Sequence, residues 1–323
     1  MKSNKKMSNF IKNFNINSKL KICSIISSVI ILIGILIISI FGFNLGIDFT
    51  GGTVLNVKVG SALEEGNNYQ IVSTQLTNIF HEEGCDIGYI QQEGIGEEAQ
   101  VTIRFKDKAN LTEAQMQEEL ENLKLAIVDG LELGGEKLNV TVTDGSRIAG
   151  SASKTLLINS ILAILIAIIL ILIYIAIRFE LLSGLVAILM LVHDVVIMCS
   201  LVALIRIQIN AGFIAALITI IGYSINNVII VFDKIRENKK KDSFAGCSSK
   251  ELAEASVKQV LNRTILTSIT TIISIIALII LGVPSIKEFL LPILFGLISG
   301  VYSSTMLAGP IWATINDKTG KKN

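Results

Sequence analysis

Residues 155–177 read TLLINSILAILIAIILILIYIAI, a run without a single charge. A helix crossing a hydrocarbon core of about 30 Å needs roughly 20 such residues. Apolar side chains follow one another here instead of alternating, so the run is a helix, the conformation that satisfies its own backbone in lipid. Further runs of the same character lie at roughly 22–43, 181–205, 209–232, 264–283 and 289–315, six in all. A chain of 323 residues that is 51% hydrophobic and only 17% charged is too apolar for an ordinary soluble domain.

The formal net charge of +1 conceals a segregation. Between Leu45 and Gly150 stand 18 acidic and seven basic residues, a net of −11, while the rest of the chain carries +12. Basic residues gather before the first run (Lys2, Lys5, Lys6, Lys12, Lys19, Lys21), in 233–263, and in the tail (Lys318, Lys321, Lys322). The positive-inside rule predicts that these three regions are cytoplasmic and that the acidic segment lies outside, which six spans satisfy without conflict. The first run exceeds a usual signal-peptide core, and IFGFNLGIDF offers no A-x-A-like cleavage site, so it reads as an uncleaved anchor. Of Cys23, Cys85, Cys199 and Cys247 only Cys85 falls in the external segment, which excludes a disulfide framework or metal-ligand spacing there.

The external segment has alternating periods. Leu55, Val57 and Val59 predict a strand, as do 86–91, the set Val101, Ile103 and Phe105, and the set Leu138, Val140 and Val142. Val72, Leu76, Ile79 and Phe80 share one helical face; Thr112 reads as the N-cap of a second helix carrying Met116, Leu120, Leu123 and Ile127. The expected whole is a polytopic α-helical membrane protein of six transmembrane helices with one external α+β domain, ferredoxin-like in its β-α-β-β-α-β order. Its expected division is a cytoplasmic segment 1–21, a first transmembrane helix 22–44, the external domain 45–153, a five-helix bundle 154–316 with a cytoplasmic loop 233–262, and a tail 317–323. No nucleophile or ligand set accompanies the solitary His81 of the external domain, so no enzymatic chemistry and no cofactor are expected.

An ionisable group near the bilayer centre costs roughly 2.5–3.5 kcal/mol and marks a functional or paired site. His193 and Asp194 sit in the middle of the third run, either as a packing contact or as a proton site. Tyr223, Ser224, Asn226 and Asn227 make a polar patch in the fourth, able to bind or orient but, as amides and hydroxyls, not to carry charge. Arg263 opens the fifth, followed by Thr264, Thr267, Ser268 and Thr271 on one helical stripe; a snorkelling anchor is the alternative for the arginine. Gly296 and Gly300 form a GxxxG in the last run, suited to close packing. GIDFTGGT (46–53) and DGSRIAGSAS (144–153) bracket the external domain as connectors or hinges.

GIDFTGGT, RFE at 178–180, HD at 193–194, GYSINN with FDKIREN, NRT with LTS, and VYSS, in this order across the whole chain, resemble the SecF branch of the SecD/SecF family of bacterial protein-export membrane proteins. Gly46, Asp48, Gly51, Gly52, Gly222 and Tyr223 carry that likeness. The resemblance implies a non-enzymatic subunit beside the SecYEG channel, paired with SecD and working with the ATP-driven SecA motor and with YidC on preproteins, in the plasma membrane and driven by protons. It also implies kinship with transporters of the resistance-nodulation-division class; half of such an exporter, or an assembly factor without proton coupling, are the alternative functions. The family's fourth-span motif usually ends in an aspartate that takes up protons, and here Asn227 occupies that position. Arg263 matches the family's fifth-span arginine. The resemblance therefore leaves the titrating carboxylate to SecD, to Asp194 with His193, or to none.

Overall fold

The computed structural model describes residues 16–94, 96–106, 108, 111–148, 150–281 and 284–318. Lys2, Lys5, Lys6, Lys12, Lys321 and Lys322 lie outside them. Among the described residues six helices are long and apolar enough to cross a membrane: Lys19–Phe41, Ala152–Arg178, Leu181–Ile205, Ala211–Lys239, Ser249–Leu281 and Ile286–Lys318. In chain order the helices are α1 (Ile16–Phe41), the single turn α2 (Ile47–Thr50), α3 (Asn68–Glu82), α4 (Glu113–Gly130), α5 (Gly150–Arg178), α6 (Leu181–Ile205), α7 (Ala211–Lys239), α8 (Ser249–Leu281), α9 (Pro284–Tyr302) and α10 (Gly309–Lys318). Between α9 and α10 the chain stays helical but widens into a π-turn, Ser303–Ala308.

The strands are β1 (Gly52–Lys58), β2 (Ile87–Glu93), β3 (Gln100–Phe105), β4 (Glu132–Leu133), β5 (Glu136–Lys137) and β6 (Thr141–Ile148). Four of them form an antiparallel sheet in the order β2-β3-β1-β6. Each strand–helix–strand unit, β1-α3-β2 and β3-α4-β6, is thus split by a strand of the other. Alternation sends Leu55, Val57, Val101 and Ile103 to one face, where Val72, Leu76 and Phe80 of α3 and Leu123 and Ile127 of α4 close a fully buried core. The Thr112 cap forms as expected: its hydroxyl accepts from the Gln115 amide while the Gln115 side chain accepts from the Thr112 amide, an arrangement contributing about 1 kcal/mol. The last strand differs from its expected position at 138–142. Gly134 and Gly135, both at positive φ, turn a short β4-β5 hairpin first, and β6 starts only at Thr141.

The polar stretch 233–262, expected as a loop, is mostly helical, leaving 240–248 as the connector. Two causes carry the helices past their apolar runs. Asn238 donates to Ser256 (2.9 Å) and Gln259 (3.0 Å), continuing the α7–α8 contact, and ion pairs one turn apart, Lys234–Glu237, Glu237–Lys241 and Glu254–Lys258, support the wetter turns.

Glycines seat the small domain on the bundle. At Gly52 (φ 144°) a Cβ would collide with the Phe105 carbonyl, and Gly51 (φ 76°) lies in a region that disfavours side chains. The Gly46 amide donates to Ile209 (2.8 Å), the Ile209 amide to Asn44 (2.7 Å), and Asp48 accepts from the Ala211 amide (2.8 Å) at the start of α7. GIDFTGGT is therefore a staple between the domain and the α6–α7 loop.

Candidate intramembrane polar site

The middle of α6 presents Asp194 with no exposed surface to a shell built by two other helices and the π-turn. Its Oδ1 accepts from Ser299 Oγ (2.8 Å) of α9 and meets His193 Nδ1 at 3.0 Å. Its Oδ2 accepts from Ser303 Oγ (2.8 Å), at the start of the π-turn, and from Ser224 Oγ of α7. Two donors on each oxygen fill the acceptor capacity of an ionised carboxylate. Close backbones make room for this shell. Gly300 lies where an added Cβ would come within 3.5 Å of the Ser224 Cα and 3.6 Å of Asp194 Oδ2, so the GxxxG lets α9 lie against α7 over the carboxylate.

His193 continues the network toward α1. Its Nε2 lies 2.9 Å from Ser27 Oγ, which donates to the Tyr302 hydroxyl (3.3 Å), which donates to the Cys23 carbonyl (2.6 Å). The approach of α1 depends on Gly34, where a Cβ would collide with Ser200 of α6. The chain has two complete states. With an imidazolium, Nε2–H donates to Ser27 and every hydroxyl points on to the next acceptor. With a neutral ring bearing its proton on Nδ1, the Ser27 hydroxyl turns to donate to Nε2 while Tyr302 keeps Cys23. One proton and the rotation of one hydroxyl separate them. An apolar cavity of about 240 Å³, lined by Ile30, Ile197, Leu201 and Phe295 among others, adjoins Ser27, Ser299 and Tyr302.

The other expected site residues do not join this network. Asn227 is buried, but its Nδ2 has no partner, and the same holds for Thr264 Oγ1 and Ser268 Oγ of α8. Asn238–Ser256 and Tyr223–Thr271 (3.2 Å) fix the antiparallel register of α7 and α8, and that register sets Asn227 level with the Thr264–Ser268 turn. Each such orphan costs about 1–3 kcal/mol. Arg263, Thr267, Asn226 and Gly222 are exposed at the bundle surface; Thr267 returns its hydroxyl to the Arg263 carbonyl (2.9 Å). Arg263 therefore brings no positive charge to the Asp194 network. Arg178 of RFE and Asp233 of FDKIREN meet as an ion pair (2.7 Å), which explains why two distant motifs carry opposite charges.

Ser27 and Ser299 carried no signal as site residues, and Ser303 only its place in VYSS. Serine inside an apolar run is cheap and common, and only the convergence of α1, α6 and α9 distinguishes these three. A sequence signal existed for Ser303 and Tyr302 in VYSS, but not for Ser27.

The comparisons agree over nearly the full chain. Residues 133–318 match the family described as protein export membrane protein SecD/SecF, C-terminal, and residues 36–62 match the SecD/SecF GG motif. The chain is 33% identical over 296 residues to a protein translocase subunit SecF of Calditerrivibrio nitroreducens, covering 92% of each chain. It is 31% identical over 297 residues to that of Rickettsia prowazekii, covering 92% of this chain and 89% of the other. The crystal structure of SecDF, a translocon-associated membrane protein from Thermus thermophilus, superposes with a TM-score of 0.75 at 29% identity over 95% of this chain. That alignment spans 39% of the longer SecDF polypeptide.

Proposed function

Because the chain belongs to the SecD/SecF family, we propose that it is the SecF-type subunit which, with a SecD partner, assists preprotein export across the bacterial plasma membrane, driven by protons that visit the His193–Asp194 pair. Family membership supports the export role; the proton step is argued from the site. The chain is a multi-pass membrane protein, and in this reading both termini are cytoplasmic, the small domain lies on the outer side, and SecYEG and SecA, with YidC, are the working context. We propose no enzymatic step.

The observation that carries the proton reading is a fully enclosed carboxylate hydrogen-bonded to an imidazole near the middle of the bundle, with a hydroxyl chain leading away from it. Proton uptake at His193 converts a neutral ring beside a carboxylate into an ion pair; release restores the neutral ring, and the Ser27 hydroxyl then turns to donate to the vacated Nε2. Asn227 cannot share this work, because an amide does not titrate at physiological pH.

SecD as partner is supported by the outward face of α7. Ala215, Thr219, Gly222 and Asn226 lie along it at i, i+4, i+7 and i+11, small and polar where lipid would favour leucine. Co-expression with a SecD-type protein and affinity purification tests this: the wild type retains SecD and Gly222→Leu with Asn226→Leu loses it. Equal recovery from both would remove the α7 face from the interface.

A further inference from the structure

The polar residues that join the small domain to the bundle reach the same two helices that enclose Asp194. Glu288 lies one turn into α9 and is 7% exposed. Its carboxylate accepts from Asn210 Nδ2 (2.6 Å), and Asn210 is also the N-cap of α7, accepting from the Phe213 amide (3.0 Å). Arg104 of β3 completes the cluster: Nη1 sits 3.2 Å from Glu288 Oε2 and donates to Gln208 Oε1 (2.7 Å), while its guanidinium lies 5.3 Å from the centre of the Tyr89 ring. Burial, then the Glu288 carboxylate, holds the Tyr89 phenol well above its usual range, so the ring stays neutral beneath the cation.

Helices α7 and α9 are thus tied at two levels. The lower tie is Asp194, gripping Ser224 of α7, Ser299 of α9 and Ser303 of the π-turn that continues α9. The upper tie is Asn210 to Glu288, about 16 Å away along α9 at 1.5 Å per residue. Between them, Pro292 lacks the amide hydrogen that the Glu288 carbonyl would accept, which leaves α9 free to bend one turn below the upper tie. The domain holds the upper tie through Arg104 of β3 and, beside it, Tyr89 of β2, whose hydroxyl hydrogen-bonds the Glu288 carboxylate.

We propose that Arg104 and Glu288 are positioning residues through which the small domain reads the relation of α7 to α9, so that its seating on the bundle changes when the net charge of the His193–Asp194 pair changes. The proposal rests on the export reading only for its purpose; the coupling itself is a property of this chain.

Amide hydrogen exchange of the full chain in lipid nanodiscs tests it at β2 and at 206–210, with α3 as an internal measure of domain folding. Arg104→Gln and Glu288→Gln are each expected to lose protection at both segments while α3 keeps its own, and Arg104→Lys, which preserves the charge, to lose less. Asp194→Asn is expected to lose protection at the same segments and to change nothing further when added to Glu288→Gln. Unchanged protection at β2 and 206–210 in Arg104→Gln overturns the joint. Unchanged protection there in Asp194→Asn overturns the coupling, as does an added loss in the double variant. Export plays no part in this readout, so a coupled chain that exports independently of protons contradicts the function proposed above and leaves the coupling standing.

Discussion

Helices α5 and α7 are both 29 residues long, and hydropathy marks both as spans, yet they meet different solvents. Only 6% of the most apolar stretch of α5 is buried, against 50% for α7. Leu162, Ile169 and Leu170 stand out from α5 on several sides, whereas α7 exposes no large apolar residue among those described. Lipid accepts leucine on any side of a helix and gives no preference to one face. A neighbouring helix selects small residues where backbones approach and polar ones where a partner waits. Hydropathy is correspondingly higher in α5 than in α7, and side-chain size shows where α7 meets its neighbours.

The comparison breaks if the two helices respond alike to substitution. The largest effect belongs at the carboxylate that α7 helps to hold: Asp194→Leu strands three serine hydroxyls and an imidazole and is expected to destabilise the protein by about 3–5 kcal/mol, read as a lowered Tm in detergent. Next is Gly296→Val, whose side chain would overlap Ile220 of α7, with an expected loss of about 1–3 kcal/mol in the same assay. Asn227→Leu carries the opposite sign. Its amide nitrogen is buried without a partner, so the substitution is expected to be neutral or stabilising by up to about 1 kcal/mol; a large drop in Tm would reveal a hydrogen bond that the enclosed geometry lacks. Leu170→Ala on α5 is the smallest, within about 0.5 kcal/mol, and a loss as large as that of Gly296→Val would mean that α5 is packed against protein.

These contrasts also explain what the sequence could tell. All six spans were legible because lipid imposes a length that no soluble element imitates, and the small domain's mixture of strands and helices was legible in their periods. His193 and Asp194 were legible because charge in lipid is expensive. Their surroundings were not. A hydroxyl stripe on α8 announces a face without saying what it faces, so Arg263 and Thr267, expected near the site, lie on the outside, while Thr264 and Ser268 of the same stripe turn inward. Glu288, one turn into its helix, is not singled out by the sequence; its burial depends on Arg104 arriving from a strand 184 residues earlier. Helix ends in 233–262 were misplaced because ion pairs and an asparagine, rather than apolar residues, extend them.

The central claim is that this chain binds its proton at Asp194 with His193 and not at position 227. Preprotein export into inverted membrane vesicles, measured with and without an imposed proton-motive force, tests it on Asp194→Asn and Asn227→Leu side by side. The stimulated component is expected to disappear in Asp194→Asn and to persist in Asn227→Leu, both proteins being present at wild-type levels. Stimulation that survives Asp194→Asn undiminished would contradict the account.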